Sequence, residues 1–320
     1  MLLPYGYTVT KYDPDDYGSS GYEGPEDSMS DHGPKEAAYL AAVEVFAEVC
    51  GVTELTIRDP GVTGFVNFGL EAPIPGHGLA GLFPDDLTGF HDGARVPLST
   101  GVALVKAMLR DHGVWCRLDF EDRFLVQVGY DQYMYIGSSE PCDEAVERTR
   151  ALGLFPVPAR TTMWDFGGDD DEPPPGPADE AFWNAVADLV RERGSVLLEE
   201  IGVANASRWH RLRTAEFDEL RPRLTPRAGL LVWPELDIDV QEVLRAIRDD
   251  DERSFELVWE DRDGLFHKTL ADSDDYPGLY PRLAQARGAM ANSFYAHEYH
   301  PLLVAVLPDD DGVVRSRWRL

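Results

Sequence analysis

The chain has 320 residues and sets 29 Lys and Arg against 58 Asp and Glu, for a formal charge of −29. That length exceeds one ordinary hydrophobic core, so two domains are expected. The charge repels polyanions at long range and draws basic partners. No run of about 18 apolar residues occurs, which excludes a helical membrane span and a membrane partner from the sequence-based expectations.

The hydrophobic share, 43%, suits folded globular domains. The opening MLLPYGYTVTKYD lacks a basic n-region and an apolar h-region, so no secretory signal is expected. Cys50, Cys116 and Cys142 are odd in number and far apart in sequence. They predict reduced thiols and a cytoplasmic location in place of a disulfide framework.

Taken in order, residues 5–12 alternate as a short strand, and 13–33, rich in Asp, Gly, Ser and Pro, predict a long acidic loop. Pro34 opens a helix with Tyr39, Val43, Phe46 and Cys50 on one face, and Gly51 stops it. Short strands are expected at 53–58 and 64–68, a loop over about 71–97, and a second helix over about 99–112.

The most regular pattern is 114–136, which reads as three antiparallel strands. A hairpin over Glu121–Arg123 puts Cys116, Leu118 and Phe120 on one face with Phe124, Val126 and Val128. Trp115, Arg117, Asp119, Leu125 and Gln127 fall on the other. A tight turn at Asp131–Gln132 would bring Tyr133 and Tyr135 to the apolar face, as core packing or, with Tyr130, as a stacking platform for bases. A helix follows from Pro141 to about Leu152.

Residues 156–179 contain GGDDDEPPPGP, which cannot bury a core. The expected organisation is therefore a domain over 1–155, a linker over 156–179 and a domain over 180–320. Trp164 and Phe166 are expected to dock on a domain surface. The second half predicts a helix capped near Asp179, a strand at 207–213, a short helix at 215–224, and a strand at 229–233. A helix at 239–248, strands at 254–260 and 264–270, and a long helix over about 279–298 follow. That last helix would carry Leu279, Leu283, Ala286, Met290 and Phe294 as one stripe. LLVAVL and VVRSRWRL would close the chain as a hairpin. The fold class is α+β, two domains, each an antiparallel or mixed β-sheet with helices packed on it.

The chemistry-bearing motifs are weak. Gly76-His-Gly78-Leu-Ala-Gly81 matches a dinucleotide fingerprint, but prolines precede it and Pro84 follows, where a strand and a helix are needed. His91-Asp92-Gly93 pairs a histidine with a carboxylate, yet Asp-Gly is a standard turn. His297 and His300 are three apart, with no third ligand by spacing. Cys142 sits at a helix start, where a thiolate is favoured, but Asp143 and Glu144 oppose it, and a buried first-turn cysteine is the better fit. The acidic runs lack the spaced ligands of an EF-hand. No nucleophile elbow is present. The chain is expected to be non-catalytic and to need no cofactor or metal.

One stretch departs from the acidic trend. Residues 207–227, SRWHRLRTAEFDELRPRLTPR, hold Arg208, Arg211, Arg213, Arg221, Arg223 and Arg227. On a strand, Arg211 and Arg213 share a face with Trp209, and Arg208, His210 and Leu212 share the other. Such a cluster could bind phosphate and stack a base, or it could form salt bridges with the surrounding acid.

The stretches VTKYDP (9–14), GPEDSMSDHGP (24–34), GFHDGARVP (89–97), YDQYMYIGSSEPC (130–142), RTRALGLFP (148–156) and RWHRL (208–212) resemble an actinobacterial family of uncharacterised proteins that often bears the label RNA-binding protein. The resemblance spans nearly the whole chain. It implies RNA binding, placed here on Arg208, Trp209, His210, Arg211, Arg213, Arg221, Arg223 and Arg227. It implies no catalytic residues. The alternative expectation is an acidic interaction module, of inhibitor or immunity type, that binds a basic protein.

Overall fold

The computed structural model describes residues 3–25, 32–67, 78–129, 132–159, 175–213, 217–249, 254–293 and 300–315. The fold is α+β. The chain separates into two compact units, one drawn from Met1–Gly61, Pro75–Pro84 and Gly89–Pro173, the other from Val62–Ile74, Asp85–Thr88 and Pro174–Leu320.

The first unit contains β1 (Tyr5–Thr10), β2 (Tyr17–Gly18), β3 (Gly21–Tyr22), α1 (Gly33–Val49), the start of β4 (Glu54–Asn67), β5 (Arg95–Pro97), α2 (Leu98–Leu109), β6 (Val114–Phe120), β7 (Phe124–Val128), β8 (Met134–Ser138), α3 (Asp143–Ala151) and β9 (Phe155–Ala159). Its sheet runs β4-β6-β7-β8-β1-β9, with β5 on β4. Tyr39, Val43 and Phe46 of α1 are fully buried, beside Leu104 and Val105 of α2 and Leu118, Phe124 and Val126 of the sheet. Helix α2 lies close on β4: a Cβ at Gly101 would stand 2.5 Å from Leu55 Cδ1, so a larger residue there requires the Leu55 side chain to move.

The β6–β7 register matches the alternation of the sequence, with Leu118 opposite Val126 and Phe120 opposite Phe124. The β7–β8 register does not. Val126 faces Ile136 and Val128 faces Met134, so Tyr135 pairs with Gln127 on the other face. The connection is longer than a tight turn: Gly129 N–H donates to Tyr133 O at 2.7 Å, and Gln132 takes a positive φ and bonds Leu109 O through its side chain. One residue of loop length moves every side chain of the next strand to the opposite face.

Other differences have local causes. The strands expected at 53–58 and 64–68 are one strand, β4, which runs through Asp59-Pro60-Gly61, a triplet that reads as a break. The acidic loop contains the small β2–β3 hairpin. The expected 71–97 loop ends in β5. Strand β9 occupies the start of the expected linker, pairs with β1, and carries Pro156 and Pro158. Trp164 and Phe166 lie outside the described residues.

The second unit contains α4 (Glu180–Arg193), β10 (Val196–Leu212), α5 (Phe217–Leu220), β11 (Gly229–Trp233), α6 (Val240–Asp249), β12 (Phe255–Glu260), β13 (Phe266–Ala271), α7 (Tyr276–Leu283), β14 (Gly288–Ser293) and β15 (Leu303–Val306). One sheet has the order β15-β11-β10, the other β13-β12-β14, both antiparallel. The sheets share an apolar layer of Leu197, Trp209, Leu231, Trp233, Val258 and Phe266. Helix α4 covers the outer face of the first sheet through Phe182, Trp183, Val186 and Val190. Helices α6 and α7 cover the outer face of the second through Val243, Leu244, Ile247 and Leu283. Among the described residues, no helix is long and apolar enough to cross a membrane.

Three expectations differ here. Within 279–293 the chain forms the end of the short α7 and then strand β14, with Met290 paired to Val258 of β12; residues 294–298, with Phe294, lie outside the described residues. The apolar spacing is helical in period, but α7 ends at Leu283, and Gly288–Ser293 pair with β12 as a strand. Among the described residues, β15 pairs with β11 and the following turn is held by Asp309 N–H to Val313 O at 3.0 Å; residues 316–320 of the expected second hairpin strand lie outside the described residues. The helix expected over 215–224 reduces to α5 and a single tight turn over Arg221–Arg223.

Candidate binding surfaces

The arginine-rich stretch begins in the last residues of β10, a 17-residue strand that ends at Leu212. Its alternation sends Glu200, Arg208 and His210 to one face and Glu199, Ser207, Trp209 and Arg211 to the other. On the first face Glu200 is 2% exposed. His210 Nε2 lies 2.7 Å from Glu200 Oε2, and Thr225 N–H donates to Glu200 Oε1 at 2.7 Å. Arg208 approaches the same carboxylate at 3.8 Å and donates to Thr225 Oγ1 and to the Asp86 carbonyl. Burial raises the Glu200 carboxyl, but the bonds from His210 and Thr225 outweigh it and hold the group below its ordinary value.

On the opposite face Arg211 is clamped. Its Nε and one terminal nitrogen donate to both oxygens of Glu235 at 2.8 and 2.9 Å, and it reaches Glu260 at 2.7 Å. The guanidinium lies 5.1 Å from the Phe266 ring centroid. The bonds from Glu235 and Glu260 raise its affinity for its proton further. Trp209 is 9% exposed and stacks on Phe266 at 6.3 Å, with Lys268 Nζ 5.9 Å from its ring. Its faces are occupied from within.

Lys268 belongs to a buried cluster that the sequence does not announce. Glu199 is fully buried and accepts from Ser207 Oγ at 2.6 Å, Trp233 Nε1 at 2.9 Å and Lys268 Nζ at 2.6 Å. Lys268 also pairs with Glu256. A buried carboxylate is tolerated when each oxygen has donors of this kind.

The other arginines follow the same pattern. Arg221 pairs with Glu180 at 2.6 Å and lies over Trp183. Arg227 makes a two-pronged pair with Asp309 at 2.6 and 2.7 Å, and Arg315 joins that carboxylate at 2.7 Å. Arg213 and Arg223 are exposed. The fold therefore gathers Arg208 with His210 and sets Arg211 beside Trp209, but it directs Arg208, Arg211, Arg221 and Arg227 into carboxylates.

A second surface lies in the first unit. Tyr12, Tyr17, Tyr22 and Tyr133 form a ring cluster: Tyr12–Tyr22 at 4.8 Å, Tyr17–Tyr22 at 5.3 Å and Tyr12–Tyr133 at 6.0 Å. The Tyr17 and Tyr133 hydroxyls are 2.7 Å apart. Tyr17 is 47% exposed, and Asp15 and Glu23 beside it are exposed. Burial and the charges of Asp16 and Asp13 push the Tyr22 hydroxyl above its ordinary value. Lys11 Nζ already lies 5.1 Å from the Tyr12 centroid, a cation seated on this acidic, aromatic surface.

Among the described residues, the remaining motifs supply no site. Asp92 turns from His91 to Asp59 N–H at 3.0 Å and toward Arg58 at 3.9 Å, while His91 Nδ1 meets the Asp92 carbonyl at 2.9 Å. Gly93 supplies the turn with φ +82°. Gly76 and His297 lie outside the described residues. Among the described residues, no group of three or more His, Cys, Asp or Glu is placed to hold a metal ion. No family model, curated protein or solved structure matches the chain. The surfaces are therefore read from their own geometry.

Proposed function

We propose that the chain is a non-catalytic interaction module that holds a basic protein on the acidic, tyrosine-lined β2–β3 surface. The observation that carries this reading is exposed Tyr17, with Tyr22 and Tyr133 behind it and Asp13, Asp15, Asp16 and Glu23 around it. Lysine and arginine side chains of a partner would find carboxylates for ion pairs and ring faces for cation–π contacts in one place. The charge of −29 adds attraction at long range and speeds encounter.

RNA binding through Arg208, Trp209, His210, Arg211, Arg213, Arg221, Arg223 and Arg227 draws on the family resemblance and on the number of arginines. It is the weaker reading. A phosphate would have to displace Glu235, Glu260, Glu200 or Asp309 from guanidinium groups that they already satisfy, and Trp209 offers no open face.

The test titrates the full chain against a deca-arginine peptide and a single-stranded RNA at low and moderate salt. The expected result is peptide binding that weakens with salt and drops about tenfold when Asp15 and Asp16 become Asn and Tyr17 becomes Ala. A charge-matched control, Asp188→Asn with Glu192→Gln, should leave it nearly unchanged. Equal losses in both variants would reduce the binding to bulk charge and end this reading. RNA binding at low salt that disappears on Arg208, Arg211 and Arg213 to Ala would replace it.

A further inference from the structure

Cys50 and Cys142 are 92 positions apart in sequence, and the fold sets their sulfurs 3.6 Å apart. Cys50 closes α1, its N–H bonded to Phe46 O. Cys142 is the N-terminal cap of α3, which packs against α1. The thiols differ in access: Cys50 is half-buried and Cys142 is 1% exposed. Cys116, the third thiol, is fully buried and makes no part of this contact.

The surroundings divide the pair into two roles. Ser138 Oγ lies 3.3 Å from Cys50 Sγ and Arg123 donates to the Cys50 carbonyl at 2.7 Å. Cys142 is held by main chain: its N–H donates to the Tyr7 hydroxyl at 3.0 Å and its thiol points to the Glu140 carbonyl at 3.4 Å. The groups facing the pair are Arg123 from the β6–β7 turn, Ser138 at the end of β8, Glu140 after it, Tyr7 of β1 and Asp143 of α3, with Glu48 and Arg148 paired to each other at 2.7 Å across α1 and α3. The hydrogen bond from Cys142 holds the Cys50 thiol down to about 6, with Ser138 and Arg123 assisting against burial. The same bond, with burial, pushes Cys142 up.

We propose that Cys50 and Cys142 are a reversible redox pair, a reachable attacking thiol and a buried resolving thiol that close to a disulfide on contact with a hydroperoxide. The Cys50 thiolate attacks one peroxide oxygen. The O–O bond breaks, and the leaving hydroxide takes the Cys142 thiol proton to become water. Cys50 is then a sulfenic acid. The Cys142 sulfur attacks the Cys50 sulfur, the S–O bond breaks, and the second hydroxide leaves as water with a proton from solvent. Two thiols lose two electrons, and one hydroperoxide is reduced. With hydrogen peroxide the products are one disulfide and two waters. Sulfur–sulfur closure requires about 1.5 Å of approach, within the reach of side-chain rotation and a small helix shift. The closed bond would tie the end of α1 to the start of α3.

The test treats the reduced full chain with hydrogen peroxide, then alkylates it and maps its peptides by mass. Two of three thiols should be lost, with a Cys50–Cys142 linked peptide that dithiothreitol removes, while Cys116 alkylates only on unfolding. In Cys142→Ala, dimedone should trap a sulfenic acid at Cys50; in Cys50→Ser, Cys142 should keep its thiol. Alkylation of Cys50 should reach half its maximal rate near pH 6, below the ordinary thiol range. Oxidation of Cys50 to sulfinic acid while Cys142 still alkylates would overturn the proposal, and so would equal oxidation of all three cysteines. If neither variant folds, the wild-type peptide map decides alone.

Discussion

The arginines at the end of β10 and the acids of the β2–β3 hairpin are both local concentrations of one charge, and the fold uses them in opposite ways. Arg211 has lost its freedom to Glu235, Glu260 and the Phe266 face. Tyr17 on β2, Asp15 in the turn before it and Glu23 just after β3 stand in solvent. A guanidinium that already donates to two carboxylates contributes to stability and specificity of packing. A carboxylate left at the surface contributes little to stability and remains available for a partner. The same amino-acid types thus read as structure in one place and as recognition in the other, and burial decides between them.

That contrast can be broken most forcefully at Glu199. Glu199→Ala removes the acceptor for Ser207, Trp233 and Lys268 and takes one of its carboxylates from a buried ammonium that also pairs with Glu256. The expected loss is about 3–5 kcal/mol, read as a lower urea midpoint with an unchanged slope. Arg211→Ala comes next, at about 2 kcal/mol, since it removes the cation that Glu235 and the buried Glu260 share. A loss below about 0.5 kcal/mol in chemical denaturation would mean that this arginine is not structural after all.

Acid gives a third measure. Glu200 has a folded-state value below its ordinary 4.5, so its stabilising contribution is complete above about pH 4.5 and disappears as pH falls through the folded value. Stability of the wild type should decline over that window, and Glu200→Gln, already lower at pH 7, should decline less. The smallest effect is expected at the hairpin. Asp15→Asn, Asp16→Asn and Tyr17→Ala together should shift stability by no more than about 1 kcal/mol, although they should weaken deca-arginine binding about tenfold. A large fall in melting temperature would place this surface with the β10 cluster as structure.

Much of the fold was readable where one physical rule dominated. Alternation set the β6–β7 register because β6 buries one face, with Val114, Cys116 and Leu118 inward, and the turn over Glu121–Arg123 brings Phe120 opposite Phe124. Tyr39, Val43 and Phe46 marked α1 because Pro34 and Gly51 bounded it. The reading failed where two rules competed. Glu199 and Glu200 interrupt VLLEEIGV and hid the first half of β10, since carboxylates inside a sheet are unexpected until their donors are known. Leu279, Leu283 and Met290 carry a helical period that the pairing of β14 with β12 overrides. At the sites, the arginines were visible as a cluster, but their partners were not. Glu235 is 24 positions from Arg211, Asp309 is 82 from Arg227, and Tyr133 is 116 from Tyr17. No local pattern encodes such distances. The signal that was available was balance: a basic stretch in a chain of −29 has acid within reach on every side.

Strand β9 bears on how such a chain stays dispersed. Within the described part of its sheet, β9 is the last strand, joined to β1 through Phe155, Val157 and Ala159, while Pro156 and Pro158 alternate with them. Proline has no N–H. The outward rim at these two positions offers no donors to an arriving strand, so a second copy cannot extend the sheet there by backbone pairing. Replacing both prolines with valine would restore two donors at an open rim and give the protein a route to self-association that its sequence now closes.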